Sequence, residues 1–340
     1  KRPHRQNMDP NEVRQYLFEL SGEHPTMPLA ELVSTARAES GNSQTLMAGP
    51  GYAVMSLPHS CFDKVVDRLA LTRRAGDFLG VVDDCSSIAV PDLPEGSMAI
   101  RIRSYEDHAA AWETDSLTRR IGDRFTVGHK VDLKNPDIEI RGIASDRLLL
   151  HRKLREVDRK QFERRKVGER PFFSPISLHP RYARALINMT GLRAGDSVLD
   201  PFCGTGGVLL EAAVLGMKVY GSDLSPEMIE GCGQNIRHFG LKVERLEIMD
   251  IGDVADRFGD LDGVVTDPPY GRATSTNKEA LGSLYGRALP SMRDALKVGG
   301  GMGIVFPRDV PFPEGLTLEQ QHSQRVHKSL TRHYSVLRRH

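Results

Sequence analysis

The sequence has little cysteine. Its 340 residues hold only Cys61, Cys85, Cys203 and Cys232, with no C-x-x-C pair. That argues against a disulfide framework or a cysteine-rich zinc site and fits a reducing, cytoplasmic setting. The scattered histidines have no metal-ligand spacing either, so no metal is expected. No run of about 18 apolar residues occurs, and the opening stretch KRPHRQNMDPNEV is polar throughout. Neither a membrane span nor a signal peptide is therefore expected. Excess charge is missing too. The formal net charge is +1, which leaves a nucleic-acid partner open, because a basic face can be balanced by acids elsewhere. Internal repeats and low-complexity tracts are absent.

What is present reads as three sections, since this length exceeds one ordinary core. In the first, to residue 71, YLFEL, PLAELVSTARAES, GYAVMSL and CFDKVVDRLALT predict strand, helix, strand and helix. In the second, SMAIRIRS is strand-like and AAAWETDSLTRRIGDRF helical. VDL, DIEIRGIA and RLLLHRKL are strand-like, with Asn135-Pro136 marking a turn. From Pro171 onward strand and helix alternate, which predicts an α/β, doubly wound parallel sheet behind two α+β units. The stretch 153–170 reads as a basic linker. With Arg152 just before it, Lys153, Arg159, Lys160, Arg164, Arg165 and Lys166 are the candidate RNA contacts, and a solvated linker face is the plainer alternative.

Chemistry concentrates in the third section. In VLDPFCGTGGVLLEAA a strand ends at Asp200, and a glycine turn then opens a helix. Glycines there allow unusual backbone angles and close approach of a ligand. The turn lacks the Lys-Ser/Thr of a P-loop and the spacing of G-x-G-x-x-G, and the acid before it would repel phosphate. Asp223 ends the next strand, where a carboxylate can accept from ribose hydroxyls. Met249-Asp250 follows the third strand, where an adenine ring could lie. The ordered set predicts a nucleoside cofactor with a positive centre and no phosphates, a description that fits S-adenosylmethionine.

D-P-F-C-G-T-G-G and the later D-P-P-Y resemble the cofactor and catalytic motifs of class I methyltransferases acting on exocyclic amino groups. More narrowly, ERPFFSPISLHPRYARALINMTGL, D-P-P-Y-G-R and HKSLTRHYSVL are similar to archaeal tRNA guanine-10 N2-methyltransferases. YLFELSGEHPTMPLAEL and KVDLKNPDIEIRGI are similar to the N-terminal parts of the same family. The resemblance implies a ferredoxin-like domain at 1–71, a THUMP domain at 72–152 and a Rossmann-like methyltransferase domain at 171–340. It implies S-adenosylmethionine as cofactor, tRNA as substrate, and in some relatives a small zinc-binding activator subunit. The implied cofactor set is His179, Pro180, Asp200, Phe202, Cys203, Gly204, Thr205, Gly206, Asp223, Leu224, Asp250, Ile251 and Asp267. For His179 a helix-entry turn is an equal reading.

In D-P-P-Y, Asp267 and the Pro268 carbonyl can accept the two N–H groups of an amino nitrogen whose lone pair is otherwise delocalised into the base. Pro268 and Pro269 fix that geometry, and Tyr270 offers a stacking face. Tyr285 either lines the base pocket or belongs to the core. Other guanine-N2 targets in ribosomal RNA, adenine-N6 methylation, and a non-catalytic RNA-binding protein are the alternatives; intact Asp200, Asp223 and Asp267 speak against the last.

Overall fold

A computed structural model describes residues 11–83, 89–105, 112–174, 177–269, 281–307, 310–328 and 330–340. The chain divides into two compact units, 1–157 and 158–340.

The first unit is α+β. Its strands are β1 (Val13–Leu20), β2 (Gln44–Gly49), β3 (Tyr52–Pro58), β4 (Thr72–Val82), β5 (Met98–Ser104), β6 (Ile138–Ala144) and β7 (Leu148–Glu156). They form one sheet in the order β2-β3-β1-β4-β7-β6-β5. The helices are α1 (Met27–Ser40), α2 (His59–Arg68) and α3 (Thr114–Phe125). The expected boundary at 71/72 falls where β4 begins. That strand, unread in the sequence, pairs with β1 on one side and β7 on the other. Leu17 and Val54 from before the boundary pack in one buried cluster with Ile143 and Leu149 from after it. Glu19 on β1 accepts from Arg141 and His151, which hold its carboxylate well below the usual range.

Two expectations differ in detail. The Val131-Asp132-Leu133 segment makes only a single bridge, Met98 to Val131. There the Asp132 carboxylate accepts from the backbone N–H groups of Lys134 and Asn135 and bends the chain. Helix α3 starts at Thr114, and the earlier part of its expected span lies partly outside the described residues.

The second unit has the doubly wound architecture. Its strands are β8 (Ser197–Asp200), β9 (Lys218–Asp223), β10 (Arg245–Ile248), β11 (Leu261–Thr266), β12 (Leu296–Phe306), β13 (Leu316–His327) and β14 (Leu330–Arg339). The order is β10-β9-β8-β11-β12-β14-β13. The first five are parallel, and β14 runs antiparallel to both β12 and β13. The closing hairpin adds an antiparallel edge to the expected doubly wound sheet. The helices are α4 (Lys160–Glu163), α5 (Pro180–Met189), α6 (Gly207–Val214), α7 (Pro226–His238), α8 (Val254–Arg257) and α9 (Leu281–Ala295).

Strand β12 explains the two faces. Side chains alternate along a strand. Met302, Ile304 and Phe306 enter the buried cluster that α9 supplies with Leu284, Leu289 and Met292. Gly301 and Gly303 turn the other way, where a Cβ would come within 2.9 Å of Thr190 just beyond α5. Small residues on that side let the helix approach closely. The chain runs from β8 outward to β9 and β10, then returns to β11 on the other side of β8. The carboxyl ends of β8 and β11 thus flank a switch point, the usual place for a ligand in an open α/β sheet.

Candidate functional site

Asp200 ends β8 and Thr266 ends β11. The Thr266 hydroxyl donates to Asp200 Oδ1 at 2.6 Å, and the Phe202 backbone N–H donates to the same oxygen at 3.1 Å. Burial pushes the Asp200 carboxyl up to about 7, with Asp267 and Asp223 adding to the rise and the two hydrogen bonds opposing it. Asp267 follows Thr266 directly, so the expected catalytic acid stands in the field of two others. That crowding of carboxyls suits a cationic ligand, whose charge would relieve it. Pro268 and Pro269 continue the strand end; Tyr270 lies outside the described residues.

The glycine turn folds over the end of β9. Cys203 N–H donates to Ser222 O, Gly206 N–H to Cys203 O, and Gly204 N–H to Asp223 Oδ2 at 3.0 Å. Asp223 Oδ1 accepts from Ser225 N–H at 2.9 Å. Asp223 therefore anchors the turn. A carboxylate has about four acceptor positions, so it keeps capacity for hydroxyl donors. Burial raises its carboxyl as well. Gly204 and Gly206 both have positive φ, at 48° and 86°. A Cβ at Gly204 would meet nothing nearer than Phe202 O at 4.0 Å, whereas one at Gly206 would stand 2.7 Å from Cys232 Sγ. Gly204 thus leaves room toward the site, and Gly206 closes against α7. Cys203 is buried, with the adjacent Cys232 and burial pushing its thiol up.

Beyond β10 the Asp250 carboxylate caps a short turn. Its Oδ1 accepts from Gly252 N–H at 2.8 Å and Arg287 Nη1 at 2.6 Å, and the Arg287 bond holds the carboxyl below its ordinary value. Leu224, Ile248, Met249 and Asp250 line a cleft of about 490 Å³, ample for an adenine ring. Ile251 is placed differently from the expectation: its side chain lies in the core, and its carbonyl accepts from Ser291. Phe202 packs against the edge of the same core.

The segment before α5 is stitched to the turn. Asn235 on α7 accepts from Phe172 N–H, and its Nδ2 donates to Phe172 O and Thr205 O. His179 is the N-cap of α5, with Nδ1 accepting from Arg181 N–H at 3.2 Å, and Pro180 is the buried first residue of the helix. Burial lowers the His179 imidazole despite Glu163 beside its Nε2. The helix-entry reading of His179 has a direct hydrogen bond behind it.

The family model described as an RMKL-like methyltransferase domain matches residues 167–334. A tRNA (guanine(10)-N2)-dimethyltransferase of Methanothermobacter thermautotrophicus is 34% identical over 334 residues, 94% of this chain and 98% of that protein. One from Pyrococcus abyssi is 34% identical over 289 residues, 81% of this chain and 86% of that protein. This chain belongs to the tRNA (guanine(10)-N2)-dimethyltransferase family. Among solved structures, TrmN from Thermus thermophilus shares the fold, with a TM-score of 0.56 at 22% identity over 96% of this chain and all of that one.

Against this family background the basic stretch separates into unlike parts. Arg152 and Lys153 belong to β7 in the first unit, paired with Asp77 and Glu139. In the second unit Lys160, Arg164 and Lys166 are exposed, with Arg164 paired to Asp158 and Lys166 near Glu163, while Arg159 is half-buried. Arg165 turns inward, and both its Nε and Nη2 donate to the fully buried Glu211. It is a structural cation, in contrast to its expected place on an RNA-facing surface. The turn to Arg165 was concealed because its partner lies 46 positions on, in a helix that reads as plainly apolar.

A second cleft, about 480 Å³, lies between α9 and residues 310–313 and is lined by Tyr285, Leu289, Val310 and Phe312 among others. Tyr285 is itself buried and meets Phe306 edge-on at 5.4 Å. Phe306 ends β12, the strand beside β11, two residues past the Thr266–Ile304 pair. This cleft therefore opens one strand over from the D-P-P segment. Sequence periodicity had no means of finding it.

Proposed function

We propose that this chain methylates the exocyclic N2 of a guanosine in tRNA, at position 10, using S-adenosylmethionine. The observation that carries the reading is the packing of Asp200, Asp223 and Asp267 around one switch point beneath a glycine turn with room above Gly204. The position within tRNA rests on the near full-length relatives, which are named for guanine 10.

The residues fit the cofactor. Asp223 takes ribose hydroxyls, the cleft at Leu224 and Met249 takes the adenine, and the acids favour a cationic centre. When bound, S-adenosylmethionine supplies an electrophilic methyl group. Asp267 accepts one N–H of the guanine amino group and the Pro268 carbonyl the other, which aims the nitrogen lone pair. Transfer would break the sulfonium–methyl bond and leave S-adenosylhomocysteine, and the proton that the methylated nitrogen gives up would go to Asp267. The cleft between α9 and residues 310–313 receives the base turned out of the RNA stack.

The first unit and the exposed cations near α4 hold the tRNA backbone. Transfer of labelled methyl groups to unmodified tRNA, with nucleoside mapping, tests the proposal. Label at N2 of guanosine 10 supports it. Label only at guanosine 6, the position in the name of a 29% identical Thermus thermophilus relative, would move the target and keep the chemistry. Absence of any labelled guanosine would reject both.

A further inference from the structure

Among the described residues, three buried arginines lie near the one buried Glu211 of α6. Glu211 on α6 is fully buried and serves two guanidiniums: Arg165 at 2.7 and 3.0 Å, and Arg184 Nη2 at 2.9 Å. Both guanidiniums also lie over the Phe162 ring, at 5.6 and 5.4 Å from its centroid. One carboxylate thus answers two cations. Arg170 adds a third. It is only 4% exposed, and every partner it has is neutral: Nε donates to Arg165 O, and Nη1 to Ser177 Oγ and Thr205 Oγ1. Among the described residues its buried Nη2 has no hydrogen-bond partner. Burial pulls the guanidinium down to about 10, with Glu211 opposing and Arg165 reinforcing that fall. A buried cation without its own anion is costly, and such a group calls for a ligand.

Its position says which ligand. Nη1 and Nη2 stand 3.3 and 3.5 Å from the point a Cβ of Gly207 would occupy. Gly207 is the first residue of α6, whose first-turn N–H groups have no acceptor within the helix. The positive end of α6 and the unanswered guanidinium therefore coincide at the glycine turn. Across that turn stand Asp200, Asp223 and Asp267. A ligand with a cationic part on the acid side and a carboxylate on the arginine side would satisfy both, and the α-amino acid end of S-adenosylmethionine has that form.

Resting on the cofactor reading above, we propose that Arg170, with the first turn of α6, sets the site for the carboxylate of the cofactor's amino acid end. Arg170 is a positioning residue. Nη2 is covered, and its charge acts through the turn, where exclusion of water keeps a cation effective over several ångströms. The hydrogen bond to Thr205 holds the turn in register with the field.

Calorimetry on the full chain tests this with two probes, S-adenosylhomocysteine and its decarboxylated analogue. Wild type should prefer the carboxylate-bearing probe by roughly tenfold, the scale of one charge-assisted contact. In Arg170→Gln that preference should collapse, with affinity for the analogue within about twofold of wild type, and Arg170→Lys should restore part of it. Melting curves report whether the variants fold. An equal loss on both probes makes Arg170 a structural latch and overturns the proposal. So does a wild type that binds both probes equally, even if no variant folds. A wild type that binds neither probe overturns the cofactor reading itself, and this assignment with it.

Discussion

Thr266 and Asp200 are joined by a 2.6 Å hydrogen bond across the carboxyl ends of two adjacent parallel strands. The acid so held has a pKa of about 7, raised chiefly by burial. For an acid raised on folding, the native state binds the extra proton between the unfolded and folded pKa values. Stability therefore falls as pH rises from about 4 to about 7, by up to roughly 4 kcal/mol for this one group. Asp200→Asn removes that dependence. The melting temperature of the variant relative to wild type should rise between about pH 5 and pH 8, and a constant difference would reject the assignment. S-adenosylmethionine, which carries a cation, should bind wild type more tightly as pH passes through about 7, and the variant should not show this trend.

The proposed function puts Asp267 on the substrate side of the same cluster. Asp267→Ala should abolish methyl transfer to tRNA, while cofactor affinity by calorimetry stays within a few-fold of wild type. A variant that methylates tRNA near the wild-type rate would remove Asp267 from the chemistry. One that loses cofactor binding altogether would move it to the cofactor side.

The strand and helix rhythm of the second unit was legible because each apolar run ends in sharp punctuation: Asp200 before glycines, Asp223 before Ser-Pro, Thr266-Asp267 before two prolines. Strand β4 was not, because TRRAGDFLGVV mixes charge and glycine and alternates poorly; its burial comes from neighbours on both sides. The linker reading of 153–170 missed Arg165 and Arg170 for a related reason. A basic run looks the same whether its members meet solvent or a buried Glu211, and only the packing of α4 against α5 and α6 distinguishes them. A fragment beginning at residue 171 would lack both arginines, so the second unit should be cut at 158, where the compact unit starts.

Two glycines of one turn should respond to alanine in different ways. Gly206→Ala meets Cys232 Sγ at 2.7 Å with φ of 86°, so its loss should appear as stability, about 1–3 kcal/mol by denaturant titration. Gly204→Ala meets nothing nearer than Phe202 O at 4.0 Å, with φ of 48°. It should cost about 1 kcal/mol in stability but weaken cofactor binding by roughly tenfold or more, because its Cβ fills the space a ligand needs. Equal effects of the two variants on binding would place the ligand elsewhere.

The cations around α4 separate by burial into exposed candidates for RNA contact and structural ions. Lys160, Arg164 and Lys166 are exposed, and their acidic neighbours Asp158 and Glu163 lie at the surface with them. Surface pairs of this kind contribute little to stability, so reversing all three to glutamate should leave the melting temperature nearly unchanged. If they contact phosphate, tRNA affinity should fall, and the slope of log affinity against log salt should flatten by up to about 3, near one per lost contact. Arg165→Glu should behave in the opposite way. It places a carboxylate against the buried Glu211 and leaves Arg184 to answer both, a loss on the order of 3–5 kcal/mol in folding. A salt titration of tRNA binding, run beside melting curves for both variants, checks the separation. Unchanged slope and affinity in the triple variant would make this stretch a solvated surface and leave tRNA binding to other parts of the chain.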